Sequence, residues 1–402
     1  MGTRPSAIII GGSMGGLVTA LYLRKIGFEV AVFERGDVYL SGRGAGIVSH
    51  PELEAMLSEL GISNPGSLGF PTSDRKFLDA TGATEVIVSR AQNQFSWNKL
   101  YNALLDLLGR ENYHLLHDVV EVLVDSSSAS ATFSNGRTVN ADLLIGADGL
   151  ASRVRGQNAP EVQPLYAGYV GWRGIVEASA VEPHVSAELG KTFVMATPRN
   201  EQFVGYPVVL ERPEGDVKCY NYVWYRPAPA ETTLRDLLTD ATGVTHRVGI
   251  PPPMIRPELI DNLRSEAARV LPPQLAAVVK ATPQPFLQPI YDLTSSKMVF
   301  GRNVLIGDAA FVARPHVGAG VTKAASDACA LARCLADEGS SFQEALERFE
   351  KERLREGYRI VDQARYLGRA LTGGAKIEAA ELIRETAWLS FLEREYLKEV
   401  AL

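Results

Sequence analysis

Ala7-Ile-Ile-Ile-Gly-Gly-Ser-Met-Gly-Gly16, with Glu34 closing the strand that follows, is the stretch on which the fold reading turns. Ala7 to Ile10 is a β-branched run suited to a buried parallel strand. Gly11, Gly12, Ser13, Met14, Gly15 and Gly16 make the turn. Leu17 to Ile26 spaces its apolar residues as a helix does, and Gly27 ends it. Phe28 to Phe33 is the next strand, and Glu34-Arg35 lies at its end. Strand, glycine turn, helix, strand and terminal acid are the parts of a dinucleotide-binding unit. Amides at a helix N-terminus attract a pyrophosphate, which comes close only where side chains are absent. The Glu34 carboxylate is suited to accept hydrogen bonds from both ribose hydroxyls. Ser13 stands where a glycine is usual, and it is small. A second glycine-rich stretch, Ser41-Gly-Arg-Gly-Ala-Gly-Ile47, makes Arg43 a candidate phosphate or ribose partner, with a solvated loop arginine as the alternative.

Outward from this unit, Pro51 to Leu60 and Phe95 to Leu108 read as helices. Val119 to Val124, Ser130 to Phe133 and Thr138 to Ile145 read as strands, the last two joined at Asn135-Gly136, a strong hairpin signal. Two further motifs follow strands. Gly146-Ala-Asp-Gly149 has Ser152 and Arg155 beyond it. Gly307-Asp-Ala-Ala310 precedes Pro315, Gly318-Ala-Gly320 and a helix from Val321 to Asp337. Each sets an Asp at the carboxyl end of a strand, where ligands of open α/β sheets bind. Between them the chain turns rich in Tyr, Val, Trp and Pro. It reads as a mostly antiparallel sheet, with helices near Thr233 to Leu238 and Pro257 to Val270. From Ser341 onward the chain reads as charged helix.

The expected architecture is α/β: a Rossmann-like nucleotide-binding domain interrupted by a mostly antiparallel α+β substrate domain, with C-terminal helices. The nucleotide domain takes residues 1–70, 96–165 and 291–340. The substrate domain takes 71–95 and 166–290, and helices fill 341–402.

Composition narrows the function. The chain has 402 residues, 46% hydrophobic, enough for a large core or two fused ones. A net charge of −6 without a basic block argues against nucleic-acid binding. Cys219, Cys329 and Cys334 are not spaced as a metal or redox pair, so no metal is expected and the thiols point to a reducing, cytoplasmic setting. No stretch reaches the ~20 apolar residues of a membrane span.

The three motifs, Gly11 to Gly16, Gly146 to Arg155 and Gly307 to Gly320, resemble in order and spacing the single-component FAD-dependent aromatic hydroxylases, the para-hydroxybenzoate hydroxylase type. The resemblance covers nearly the whole chain. Tyr166-Ala-Gly-Tyr-Val-Gly-Trp-Arg-Gly174, Gly46-Ile-Val-Ser-His-Pro-Glu52 and Arg314-Pro-His316 look like the branch of that family that hydroxylates dihydroxypyridines. The resemblance implies bound FAD, with NADH or NADPH as a transient co-substrate. It implies a flavin C4a-hydroperoxide that transfers oxygen to a small hydroxylated aromatic or N-heteroaromatic ring. It places Asp148 and Gly149 near FAD and the NAD(P)H path, with Val120 also in the cofactor set. It puts Asp308 on the ribityl chain, and Pro315, Gly318, Gly320, Val321 and Thr322 around the flavin ring. The chain departs from the family at Trp97, where an Arg is common, at Phe311, where a polar residue is common, and at Thr322, where Asn is usual.

One complete dinucleotide fingerprint and no cysteine pair set the chain apart from disulfide reductases. The expected pocket lies between flavin and middle sheet. His50, Tyr206 and Pro315 are the catalytic candidates, with His50 a base for a ring hydroxyl. His50, Trp172, Tyr206, Tyr222 and His316 are the substrate candidates. Trp224 and Arg173 are further pocket residues, Arg173 facing a substrate oxyanion or a structural salt bridge. Phe193, Phe203 and Met195 are expected in the core. Three alternatives stay open: a monooxygenase of a bulky natural product or drug, a flavin dehydrogenase or oxidase without hydroperoxide chemistry, and a flavin-binding regulator. The charged C-terminal helices are expected to suit a homodimer.

Overall fold

The computed structural model describes residues 4–40, 46–125, 127–198, 200–372 and 377–387. Arg43 therefore lies outside the described residues.

Two sheets carry the chain. The first has six strands in the order Val299–Phe300, Asn303–Leu305, Leu143–Gly146, Ser6–Ile10, Glu29–Phe33 and Tyr113–His114. All its pairings are parallel except that between the first two. Ile8, Ile9, Leu144 and Ile145 are buried to within 1% because helices cover both faces. Helix Met14–Lys25 packs on it beside helix Gly320–Leu335.

The second sheet has eight strands in the order Phe286–Asp292, Leu165–Glu177, Val217–Pro227, Gln202–Leu210, Thr192–Ala196, Gly69–Leu78, Thr84–Ser96 and Gly46–Val48. Its pairings are antiparallel save one, between Thr192–Ala196 and Gly69–Leu78. One face packs on helices Pro257–Val270 and Pro273–Ala281, through Trp172, Tyr220, Tyr222 and Trp224. The other face carries Tyr169, Tyr206 and Tyr225 and packs on the long helix Phe342–Gly368.

Several expectations shift. Gly46–Val48, assigned above to the nucleotide domain, is an edge strand of the second sheet. The single strand expected over Thr138 to Ile145 is two: Thr138–Ala141 completes a three-stranded sheet, and Leu143–Gly146 enters the parallel one. Helix Pro273–Ala281 escaped the sequence reading, its start masked by Pro272-Pro273. Among the described residues no helix is long and apolar enough to cross a membrane.

Candidate active site

The glycine turn is locked by close approaches that admit no side chain. Gly11 sits at φ +106°, and a Cβ there would lie 2.4 Å from the Ala147 carbonyl oxygen. A Cβ on Gly12 would lie 2.1 Å from the Tyr113 hydroxyl, which donates to the Gly12 carbonyl at 3.0 Å. Glu34 is 8% exposed. Its Oε2 accepts the Gly12 amide and its Oε1 the Gly36 amide, both at 2.9 Å. Gly11, Gly12, Ser13, Glu34, Arg35, Asp148 and Gly149 thus border one cleft. Met14 and Gly16 are buried behind the turn, and Gly15 is half-buried.

Asp148 borders that cleft, but its carboxylate serves the backbone as well. It accepts the Ser152 hydroxyl and the amides of Arg153 at 2.7 Å and Val154 at 3.2 Å, supplementing the Ser152 cap of helix Arg153–Asn158. Burial nevertheless pushes its pKa up. Val120 is 48% exposed and does not border the cleft. Its neighbour Val119 does, because adjacent strand residues face opposite ways.

A second cavity, of about 490 Å³, lies where the two sheets meet. Asp308, Pro315, Gly318, Gly320 and Val321 border it from the nucleotide side, and Arg173, Phe193, Tyr206 and Tyr225 from the substrate side. The Asp308 side chain is 49% exposed and borders this cavity. Burial raises its pKa, and Lys323, with Nζ 3.8 Å away, opposes the rise.

His316 is 1% exposed and held at both nitrogens. Nδ1 is 2.8 Å from Gln202 Oε1, which only accepts, so Nδ1 carries the proton. Nε2 then accepts the Tyr169 hydroxyl at 2.7 Å. Burial, then the charge of Arg314, lowers its pKa to about 3. Tyr206 stacks on Phe193 and donates to the Gly46 carbonyl at 3.0 Å, and burial pushes its pKa up to about 12.

Three expected substrate residues lie elsewhere. Trp172 and Tyr222 are cross-strand neighbours of Trp224 and Gly174, but their side chains enter the layer against the helices, on the far face of the sheet. His50 is 1% exposed and does not border the cavity. Its Nδ1 is 2.9 Å from Thr322 Oγ1, and burial lowers its pKa to about 3. A neutral imidazole outside the cavity is not placed to take a substrate proton. Thr322, fully buried, spends its hydroxyl on this contact. Trp97 does border the cavity, and Phe193, fully buried in the core as expected, also lines it.

Sequence reasoning missed Arg75. It is 1% exposed, and its guanidinium donates to the carbonyls of Ile383, Thr386 and Ala387. The Ala387 amide in turn donates to the His316 carbonyl at 2.6 Å. Thr386 and Ala387 thereby become part of the cavity wall. A buried Arg in a strand was the available signal; its partners lie some 300 residues away.

The residues fit FAD. Ser96 and Ser341 cap the helices that follow them. Helices Met14–Lys25 and Gly320–Leu335 instead begin without a side-chain cap, at Ser13 and Ala319. Ser13 borders the cleft, and Ala319, Gly320 and Val321 border the cavity, so a pyrophosphate and the carbonyl edge of a flavin would meet the two helix starts there. Glu34 borders the cleft and Asp308 the cavity, each a carboxylate that would meet hydroxyl groups of FAD there.

Comparison with known proteins agrees. A family model described as NAD(P)-binding Rossmann-like domain matches residues 9–61, and one described as FAD binding domain-like matches residues 166–292. The chain is 32% identical over 371 residues to 2,6-dihydroxypyridine 3-monooxygenase of Paenarthrobacter nicotinovorans, covering 92% of each. It superposes on the solved 2,6-dihydroxypyridine-3-hydroxylase of Arthrobacter nicotinovorans with a TM-score of 0.88 and 30% identity, covering 95% of this chain and 97% of that one. Klebsiella pneumoniae HpxO, solved with FAD and uric acid, shares the fold at a TM-score of 0.74 and 24% identity, over 95% and 93% of the two chains.

Proposed function

The chain belongs to the single-component FAD-dependent hydroxylases, and from that premise we propose that its substrate is one small hydroxylated aromatic or N-heteroaromatic ring. It is an FAD-dependent monooxygenase that uses NAD(P)H. The overall change is ring C–H, O₂, NAD(P)H and a proton going to ring C–OH, water and NAD(P)⁺. FAD, when bound, supplies the two-electron reduction by NAD(P)H and the activation of O₂.

The observation that carries the substrate reading is the cavity. Its roughly 490 Å³, in which a flavin ring would also sit, suits a single small ring. The same identification supports hydroxypyridines, which the curated relative's name includes.

The chain's own groups hold and enclose the ring. Phe193 and Tyr206, stacked at 5.7 Å, give it a flat apolar wall. Tyr169 and Gln202 hold His316, which borders the cavity, by both ring nitrogens and leave it no free base. The Arg75 clamp on residues 383–387 covers the cavity and limits water. Free thiols at Cys219, Cys329 and Cys334 support a reducing, cytoplasmic location.

The test is a panel of hydroxypyridines, phenols and larger polycyclic phenols given to FAD-loaded protein. Substrate-stimulated NAD(P)H oxidation with hydroxylated product from the single rings supports the reading. Product from the polycyclic members alone would overturn it.

A further inference from the structure

Arg173 is a cation in the cavity wall without an anion of its own. It lies on strand Leu165–Glu177, on the face opposite Trp172, and borders the cavity beside Gln288. Nη1 donates to Gln288 Oε1 at 2.8 Å. Nε is screened from solvent and has no hydrogen-bond partner. Among the described residues no carboxylate lies within 4.0 Å of it. The other described arginine bordering the cavity, Arg314, is by contrast paired with Asp292 at 2.8 Å, a carboxylate it shares with Arg365. The residue is half-buried and Gln288 is exposed, so the guanidinium is open to the cavity while its screened Nε stays unbonded, and a ligand oxyanion would pair both. The charge of Arg173 also reaches Tyr206 and Tyr225, lowering both phenols' pKa values against the burial that raises them.

The chemistry asks for the same thing. Oxygen transfer needs an electron-rich ring, and an ionised ring oxygen supplies that density. Yet among the described residues Asp308, on the nucleotide side, is the one carboxylate bordering the cavity, and both nitrogens of His316 are engaged.

Resting on the hydroxylase reading above, we propose that Arg173 and Gln288 form an oxyanion subsite, so that this enzyme selects rings bearing an oxyanion and holds that charge through the reaction. The subsite works by stabilising the anion, with no protein base. An ionised ring hydroxyl and a ring carboxylate share this chemistry, and the arms below separate them.

Calorimetric titration of the FAD-loaded protein with benzoate against benzamide, and 4-nitrophenol against 4-nitroanisole, tests the proposal. The anion of at least one pair binds about tenfold or more tighter than its neutral partner. Arg173→Met removes that preference while neutral binding and FAD content persist, and Arg173→Lys restores part of it. A preference for 4-nitrophenol that grows with pH identifies an ionised hydroxyl; one confined to benzoate and flat from about pH 6 to 9 identifies a carboxylate. Equal wild-type binding within both pairs, or an undiminished preference in Arg173→Met, overturns the subsite. The wild-type comparison decides the matter even where a variant folds poorly. If no ring stimulates NAD(P)H oxidation, the hydroxylase reading fails, while these affinities still judge Arg173.

Discussion

The Nδ1 atom of His50 lies 2.9 Å from Oγ1 of Thr322, and both residues are buried to within 1%. The contact joins the segment leaving edge strand Gly46–Val48 to the first turn of helix Gly320–Leu335, whose Gly320 and Val321 border the cavity. His50 therefore positions the helix start and takes no substrate proton. His50→Asn is expected to weaken FAD binding or lower the melting temperature. The pH profile of product formed per NAD(P)H consumed stays as in wild type. A loss of coupling confined to low pH, with FAD affinity intact, would return His50 to the role of base.

Acid should unfold the protein earlier than its carboxylates alone require. His50 and His316 both have pKa values lowered from 6.5 to about 3, chiefly by burial. Between those values the unfolded chain binds protons that the folded chain refuses, so stability is present above about pH 6.5 and is lost as pH falls towards 3. Each histidine contributes a slope of about 1.4 kcal/mol per pH unit within that window. Denaturant titrations at several pH values measure the slope, and His50→Asn should reduce it. A flat stability curve from pH 6.5 to 4 in wild type contradicts the burial of neutral imidazoles.

Glu34→Ala should weaken FAD binding about 10–100-fold, the equivalent of losing a charge-assisted hydrogen bond of roughly 1.5–3 kcal/mol. Glu34→Gln should fall between, since an amide oxygen still accepts the Gly12 or Gly36 amide. Fluorescence titration of apoprotein with FAD gives the affinities. Wild-type affinity in Glu34→Ala would remove Glu34 from the ribose site.

The two motif aspartates divide differently from the sequence expectation. Asp148 supplements the Ser152 cap of helix Arg153–Asn158, so Asp148→Ala should cost about 0.5–2 kcal/mol of stability whatever it does to flavin reduction. Asp308 faces the cavity and is paired with the buried ammonium of Lys323, so Asp308→Ala should lose FAD and also cost apoprotein stability by leaving that cation unpaired. FAD titration of the two apoproteins separates the roles; equal losses of FAD affinity in both would contradict the division.

What the sequence made legible was local. Gly11 to Gly16 and Glu34 lie within one strand-turn-helix-strand unit, so spacing alone sets their geometry. Asp308 and Gly318 to Val321 follow a strand and open a helix, again within a few residues. The substrate sheet was harder to read. Both its faces are buried, Trp172 and Tyr222 on one side and Tyr169 and Tyr225 on the other, so hydrophobic alternation does not say which parity meets the cavity. His50 followed a glycine-rich segment and looked near the ring, but the chain turns it inward to Thr322. The Arg75 clamp depends on contacts across about 300 residues, beyond any periodicity.

The most direct test of the account follows NAD(P)H consumption, hydroxylated product and hydrogen peroxide together, in FAD-loaded protein given single-ring hydroxypyridines and phenols. The account predicts that at least one ring accelerates NAD(P)H oxidation and yields hydroxylated product in close to one-to-one ratio, with little peroxide. NAD(P)H oxidation that no ring accelerates, or that passes wholly to peroxide with every ring tried, would contradict it.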